Sequence, residues 1–300
     1  MLDYAALRVV AAVADLGSFE RAAARLGVTP SAVSQRVKQL EERLGTTLIR
    51  RGTPCTATET GAFLCRHLET VAMLEGDLLA ALPGLAGAEE GGRPVTLPIA
   101  TNADSLATWF LEPIARFTAR EPFLVDIVVD DQDHTAGWLR EGRVLAAVTS
   151  REDAVPGCRR HALGALRYHA TASPEFVARH FPQGVTAEAI ARAPALTFNR
   201  KDGLQDGWIR RHLGTDVDHP THYLPSSHAF LDATLAGMGW AMNPVHLARD
   251  ALATGRLVEL LPGAVLDTPL HWQINRLAAD RLAGLTREVR AAAGRELVQE

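Results

Sequence analysis

The stretch Ser18-Phe19-Glu20-Arg21-Ala22-Ala23-Ala24-Arg25-Leu26-Gly27-Val28-Thr29-Pro30-Ser31-Ala32-Val33-Ser34-Gln35-Arg36-Val37-Lys38-Gln39-Leu40-Glu41 decides the reading of this 300-residue chain. Ser18 is a natural N-cap, Glu20 complements the positive end of the helix that follows, and the three alanines let another helix approach closely. Gly27 ends that helix. Thr29 then caps a second one, with Pro30 at its first position, where a missing N–H costs nothing, and the helix is expected to run to about Leu44. Val33, Val37, Leu40 and Leu44 recur at steps of four, three and four and form one apolar stripe. Ser31, Ser34, Gln35 and Lys38 fall on another face.

Two helices joined by a tight turn, the second offering short hydroxyls, an amide and a cation, match the helix-turn-helix geometry that reads a DNA major groove. Gln35 suits the N6 and N7 edge of adenine, the serines suit phosphate or base edges, and Lys38 suits a phosphate. Leu48-Ile49-Arg50-Arg51 and Cys55-Thr56-Ala57-Thr58, separated by Gly52, Thr53 and Pro54, read as a two-stranded wing holding Arg50 and Arg51 against the DNA backbone. The expected DNA contacts are therefore Thr29, Pro30, Ser31, Ser34, Gln35, Lys38, Arg50 and Arg51. The competing reading is an amphipathic helix pair with a solvated polar face.

Charge supports a polyanion-binding module. Between Gly17 and Thr58 the basic residues are Arg21, Arg25, Arg36, Lys38, Arg43, Arg50 and Arg51, against Glu20, Glu41 and Glu42, while the whole chain carries −4. An apolar content of 47% with 22% charged residues is ordinary globular composition and excludes disorder, collagen and a disulfide mini-scaffold. No run reaches the roughly 18 uncharged residues of a bilayer span, and Met1-Leu2-Asp3 lacks a basic leader region, so a cytoplasmic protein with no membrane partner is expected. Cys55, Cys65 and Cys158 show no C-x-x-C spacing and read as ordinary thiols.

Thr58 to Leu82 continues as a helix whose Leu64, Leu68, Val71, Leu78 and Leu82 approximate a coiled-coil seam. That helix either packs on its own domain or pairs two subunits. The glycines and prolines from Pro83 to Pro94 then read as a hinge. Beyond it β-rich runs alternate with helical ones: Val95 to Ala100, Leu106 to Arg120, Phe123 to Val129, Thr135 to Glu141 and Val144 to Thr149. Such alternation argues an α/β domain with a mainly parallel sheet. The expected division is 1–58, a DNA-binding domain; 59–92, a linker helix and hinge; and 93–300, an effector-binding domain.

In open α/β sheets ligands sit at the carboxyl ends of strands. Thr101, Asn102, Asp104 and Ser105 follow the first run, Asp130, Asp131, Gln132 and Asp133 the second, and Thr149 and Ser150 the third. Later come Asn199, Arg200, Lys201 and Asp202, then Ser226 and Ser227. Helix starts and hydroxyls suit a carboxylate, and the aspartates suit a cation, although each residue taken singly reads first as a helix cap. His219, His222 and His228 lack a fourth ligand for a metal, and Cys158 with His161 lacks an orienting acid for nucleophilic catalysis. No catalytic constellation, metal site or cofactor motif is found, and a non-enzyme is expected. The five tryptophans read as core or interface anchors.

The residues from Phe19 to Glu41 quoted above, with Gly45, Leu48 and Arg50, closely resemble the winged helix-turn-helix of LysR-type transcriptional regulators. The likeness extends through Asn102-Ala103-Asp104-Ser105-Leu106-Ala107-Thr108-Trp109, Leu139 with Gly142, Gly164-Ala165-Leu166, Phe181-Pro182 with Gly184-Val185-Thr186, and Ser226-Ser227 with Ala229-Phe230, which look like the ArgP/LysG branch. The resemblance implies an N-terminal all-α winged helix-turn-helix with a linker helix, then an α/β two-lobed domain similar to periplasmic binding proteins. Lobe I would hold 93–159 plus 269–300, and lobe II 160–268. It further implies a regulator that senses a basic amino acid, L-lysine or L-arginine, in the cleft and activates a gene for amino-acid export. Implied partners are a double-stranded DNA operator, a second copy paired through the linker helix as homodimer or homotetramer, and RNA polymerase. Carried over to this chain, Ser105 would hold the effector carboxylate and Asp104 or Asp131 its amino groups, while Thr149 and Ser227 close the cleft beside Asn102. His228 and the pair Arg200-Lys201 depart from a simple cation site. The alternatives are a LysR-type regulator with another effector and a solute-binding module with no DNA-reading role.

Overall fold

The computed structural model describes residues 2–81, 95–130 and 135–299. These form two compact units, 1–92 and 93–300. The stretch read as a hinge, 83–94, lies outside the described residues, as do Leu82 and Asp131.

The first unit holds α1 (Tyr4–Leu16), α2 (Phe19–Leu26), α3 (Pro30–Leu44), the short strands β1 (Ile49–Arg50) and β2 (Thr56–Ala57), and α4 (Glu59–Ala81). Its boundaries are written in local chemistry. Asp3, Ser18 and Thr29 cap α1, α2 and α3 through their side chains, and Gly17, Gly27 and Gly45 end them in the left-handed region that glycine enters without strain. Val33, Val37 and Leu40 are buried with Leu7, Val10, Val13, Ala22, Ala23, Leu48 and Ile49 in one core. Leu44 departs from the expected stripe and is exposed, because α3 ends beside it at Gly45. Leu64 and Leu68 of α4 pack against that same core, so this part of the expected seam is spent inside its own unit.

The second unit opens with β3 (Val95–Thr101), α5 (Ala103–Thr108), α6 (Leu111–Thr118), β4 (Phe123–Val129), α7 (Thr135–Arg140) and β5 (Ala146–Thr149). The helix expected from Leu106 to Arg120 is broken at Trp109 and Phe110. Pro113 lacks an N–H and would clash with the preceding turn of a continuous helix, and it is accommodated in the first turn of α6 instead. After these come β6 (Cys158–Ala172), α8 (Pro174–His180), α9 (Ala187–Ile190), β7 (Ala195–Thr197), α10 (Leu204–Leu213) and β8 (Thr221–Tyr223). The unit ends with α11 (Ser227–Leu235), β9 (Ala241–Pro244), α12 (Val245–Ala253), β10 (Val258–Glu259), β11 (Val265–Asn275) and α13 (Ala283–Glu296).

The main sheet runs in the order β10-β6-β11-β5-β3-β4, with β9 also beside β6. β3 pairs in parallel with β4 and β5, as the sequence predicts. The rest is antiparallel, because the long strands β6 and β11 carry the chain out and back between the lobes and must run in opposite directions. Their register slips between Leu270 and His271. A parallel pair, β7 and β8, completes the second lobe. Trp109, Trp208, Trp240 and Trp272 are buried anchors, as expected. Trp138 is partly buried against the core that holds Ala136 and Leu139, with the Arg143 guanidinium 3.8 Å from its ring. The tail returns to β6 through the bridge between Ala165 and Val298, next to Gly164.

Candidate functional site

The surface expected to face DNA comprises the start of α3 and the wing. Thr29 Oγ1 receives the Ala32 N–H at 3.2 Å and lies 3.0 Å from Ser31 Oγ, so the two hydroxyls are tied to the helix start. Thr29, Pro30, Ser31, Gln35 and Lys38 are exposed, and Ser34 is half-buried. With Val33, Val37 and Leu40 turned into the core, this polar edge is the outward one, which the solvated-face and groove-reading interpretations both require. Lys38 sits 3.6 Å from Glu42, a surface pair that a phosphate can replace at little cost.

The wing is fastened to α3 by one side chain. Glu41 Oε1 accepts from the Leu48 and Ile49 N–H groups at 2.7 and 3.1 Å, and β1 pairs β2 with Arg50 opposite Thr56. Arg50 is exposed on that pair. Arg51 is exposed too, and its guanidinium lies 5.2 Å from the Phe19 ring centroid, so the aromatic residue that opens α2 steadies it. Thr58 closes the module: its hydroxyl donates to Thr47 O at 2.8 Å and accepts the Gly61 N–H at 3.1 Å, capping α4.

The second site lies at the carboxyl ends of the strands, where Asn102, Ala103, Asp104, Asp130, Phe198, Asp202 and Leu204 face a gap of about 20 Å³. That is room for about one water molecule. Three carboxylates converge on it from separate parts of the chain. Ser227 Oγ donates to Asp104 Oδ1 at 2.6 Å and Tyr168 OH donates to Asp104 Oδ2 at 2.9 Å, so α11 and β6 both hold the carboxylate at the start of α5. The Trp138 indole donates to Asp130 Oδ2 at 2.9 Å. Asp202 receives the Phe198 and Leu204 N–H groups at 3.1 and 3.0 Å, which shapes the loop between β7 and α10.

Of the residues expected at this site, Asn102, Asp104 and Ser227 come together. Asp131 lies outside the described residues. Ser105 and Thr149 do not face the gap: both are fully buried, Ser105 Oγ accepting from the Trp109 indole at 3.1 Å and Thr149 Oγ1 from the Arg151 N–H at 3.2 Å. Arg200 does not line the gap, and its guanidinium lies 4.9 Å from the Tyr223 ring centroid. Tyr168 was missed because it sits within a long strand, where an aromatic residue reads as core. Asp130 and Asp202 were legible only as members of polar loops.

Two of the three thiols are set against reactive chemistry by their surroundings. Burial pushes Cys65 up to about 11 and raises Cys158 as well, so neither is a thiolate near neutrality. Among the described residues no three His, Cys, Asp or Glu side chains converge to hold a metal ion, and no helix is long and apolar enough to cross a membrane.

Fold and sites together define a regulator: a winged helix-turn-helix joined to a two-lobed domain for a small molecule. The chain matches the bacterial regulatory helix-turn-helix protein model of the lysR family over residues 4–62 and the LysR substrate binding domain over residues 70–296. It belongs to the LysR family of DNA-binding transcriptional regulators. It is 44% identical over 299 residues to the HTH-type transcriptional regulator ArgP of Pseudomonas aeruginosa, covering 100% of this chain and 98% of that protein. Among solved structures it is similar to ArgP from Mycobacterium tuberculosis, with a TM-score of 0.81 and 44% identity over 100% of both chains. Full-length LysG from Corynebacterium glutamicum, solved with bound effector Arg, matches with a TM-score of 0.69 and 34% identity over 99% of this chain and 100% of that one.

Proposed function

We propose that this regulator responds to a basic amino acid, L-arginine or L-lysine, bound between the two lobes, and that the response activates a gene for amino-acid export. The observation that carries this reading is the convergence of Asp104, Asp130 and Asp202 on one small gap, an arrangement that repels an acidic effector and favours a doubly cationic one. The arginine held by LysG of Corynebacterium glutamicum supports the same choice. Opening the gap admits the ligand. Its amino groups then replace the Ser227 and Tyr168 hydroxyls as partners of Asp104, while the start of α5 near Ser105 receives its carboxylate.

In this reading Thr29, Pro30, Ser31, Ser34, Gln35 and Lys38 enter the major groove and Arg50 and Arg51 follow the backbone. Two copies pair through the α4 face that carries Phe63 and Leu74, eleven residues or three turns apart and both exposed, because Leu64 and Leu68 are already used within their own unit. Pairing supplies two reading heads for a two-fold operator.

The test is a titration of the purified protein against its own upstream DNA with and without arginine, lysine, histidine and an acidic amino acid. Salt-sensitive specific binding that arginine or lysine alters, followed by effector-dependent transcription of a linked exporter gene, is the expected result. Binding altered only by another class of amino acid sinks the effector assignment.

A further inference from the structure

The second lobe contains a larger cavity of about 570 Å³, walled by α10, β7, β8 and the loop 214–220, within the size range of small-molecule sites. Asp202 lines both this cavity and the interlobe gap, while the remaining walls differ. Four carboxylates, Asp202, Asp206, Asp216 and Asp218, face two guanidinium groups. Arg210 is already taken by Asp216, at 2.9 Å from Nε and 2.8 Å from an outer nitrogen, and Arg200 lies over Tyr223. Asp206 Oδ1 has the His219 ring nitrogen at 3.4 Å, and Asp218 makes no ion pair among the described residues. Asp206 and Asp218 therefore remain as carboxylates that pair with no arginine among the described residues.

Besides the His219 ring nitrogen Nε2, which also makes no hydrogen bond, two buried groups in its wall lack partners. Thr197 and Gln205 are 6% and 2% exposed, and neither Thr197 Oγ1 nor Gln205 Oε1 meets a hydrogen-bond partner. The orientation of the glutamine is fixed, because its Nε2 donates to Leu196 O at 2.6 Å, which leaves the oxygen as the unmet atom. Buried acceptors without donors are costly and uncommon. A ligand that brings N–H groups and positive charge supplies what this wall lacks. A metal ion does not fit, since the carboxylates stand too far apart for any three ligating side chains among the described residues to hold one. A free amino acid would add a carboxylate to a wall already rich in them.

We propose that this cavity is a second small-molecule site, one that takes an aliphatic dication of the diamine class. Its two ammonium groups meet the Asp206 and Asp218 carboxylates, and one of them donates to Gln205 Oε1 or Thr197 Oγ1 after a small adjustment of the wall. The regulator then carries two chemically distinct inputs on one effector domain, and the second does not depend on arginine binding between the lobes.

Titration calorimetry of the full-length protein with putrescine tests this. One site per chain is expected, unchanged by saturating arginine. The exposed double variant Asp206→Asn/Asp218→Asn should weaken putrescine at least tenfold. Thr197→Val, which exchanges the unmet hydroxyl for a methyl group of the same shape, should weaken it several-fold without lowering the thermal midpoint of the ligand-free protein, a combination that a purely structural role would not give. Absence of putrescine binding at millimolar concentration, displacement by arginine, or full affinity in the double variant would each overturn the proposal. Failure of arginine to bind anywhere would count against the interlobe reading alone.

Discussion

The hydroxyl of Ser227 donates to the carboxylate of Asp104 across 2.6 Å, joining the first turns of two helices that lie 123 residues apart in the chain. Tyr168, on the strand that connects the lobes, takes the other oxygen of the same carboxylate. A single side chain of the first lobe is thereby held by hydroxyls from two other elements, and any ligand entering the gap must compete with them. Asp104→Asn keeps the shape and removes the charge. It is expected to lower arginine affinity by about tenfold to a hundredfold, the worth of one charged hydrogen-bond partner, while operator binding in the absence of effector persists. Calorimetry with arginine, beside a DNA titration of the same variant, checks both halves.

On the recognition helix, Gln35 and Lys38 should separate by salt dependence. Lys38→Ala should weaken binding to every sequence alike and reduce the slope of log affinity against log salt by about 1. Gln35→Ala should leave that slope in place and lose about 1–3 kcal/mol of discrimination at one base pair. Titrations at four salt concentrations, on the operator and on a scrambled duplex, measure the two effects.

Gly61 marks a packing constraint between the wing and α4. A β-carbon there would stand 2.0 Å from the Leu48 carbonyl oxygen, with backbone on the opposing side and no flexible side chain to yield. Gly61→Ala should cost on the order of 3 kcal/mol of stability, at the upper end of overpacking penalties, and should displace β1 from α4. Denaturant unfolding of the variant, together with loss of operator affinity at temperatures where the effector domain stays folded, tests it.

Acid stability should depend on the pair that joins the two crossing strands. Arg167 donates to Asp267 through Nε at 2.8 Å and through an outer nitrogen at 2.7 Å, and this contact holds the Asp267 carboxyl below its ordinary range. A folded-state value below the unfolded one gives stability that is present near neutrality. It is lost as pH falls from the ordinary carboxylate value, about 4, through the folded value. Asp267→Asn should therefore flatten the decline of unfolding free energy as pH falls below about 4. Chemical denaturation across that range shows whether the wild type falls more steeply, and equal slopes would refute the assignment.

Leu44 aside, the helices of the DNA-binding unit were legible in the sequence. Ser18, Thr29 with Pro30, and the three glycines at helix ends act within one turn of themselves, so their meaning does not depend on distant partners. Periodicity likewise placed Val33, Val37 and Leu40 inward and Gln35 and Lys38 outward. The stripe of α4 was legible as a stripe but not as to its partner, since apolar spacing is the same whether the covering surface is its own unit or a second chain. Leu64 and Leu68 turned out to face their own core.

In the effector domain the order of strands and helices could be read, and so could Asn102, Asp104 and Ser227 at the gap, but neither the antiparallel half of the sheet nor the rest of the gap could. Asp104 was expected at the site as a partner for the effector's amino groups, whereas Asp130 and Asp202 were visible only as polar residues after strands. Ser105 was expected to hold the effector carboxylate at the same helix start, yet it is buried under Trp109. Local rules specify which residues begin and end helices because caps and turns are satisfied by neighbours in the chain. Which carboxylate meets which hydroxyl was decided by the pairing of β6 with β11 and by the placement of α5 and α11 around it. Contacts between residues 64 and 123 positions apart exist only once the sheet has set the distance between them.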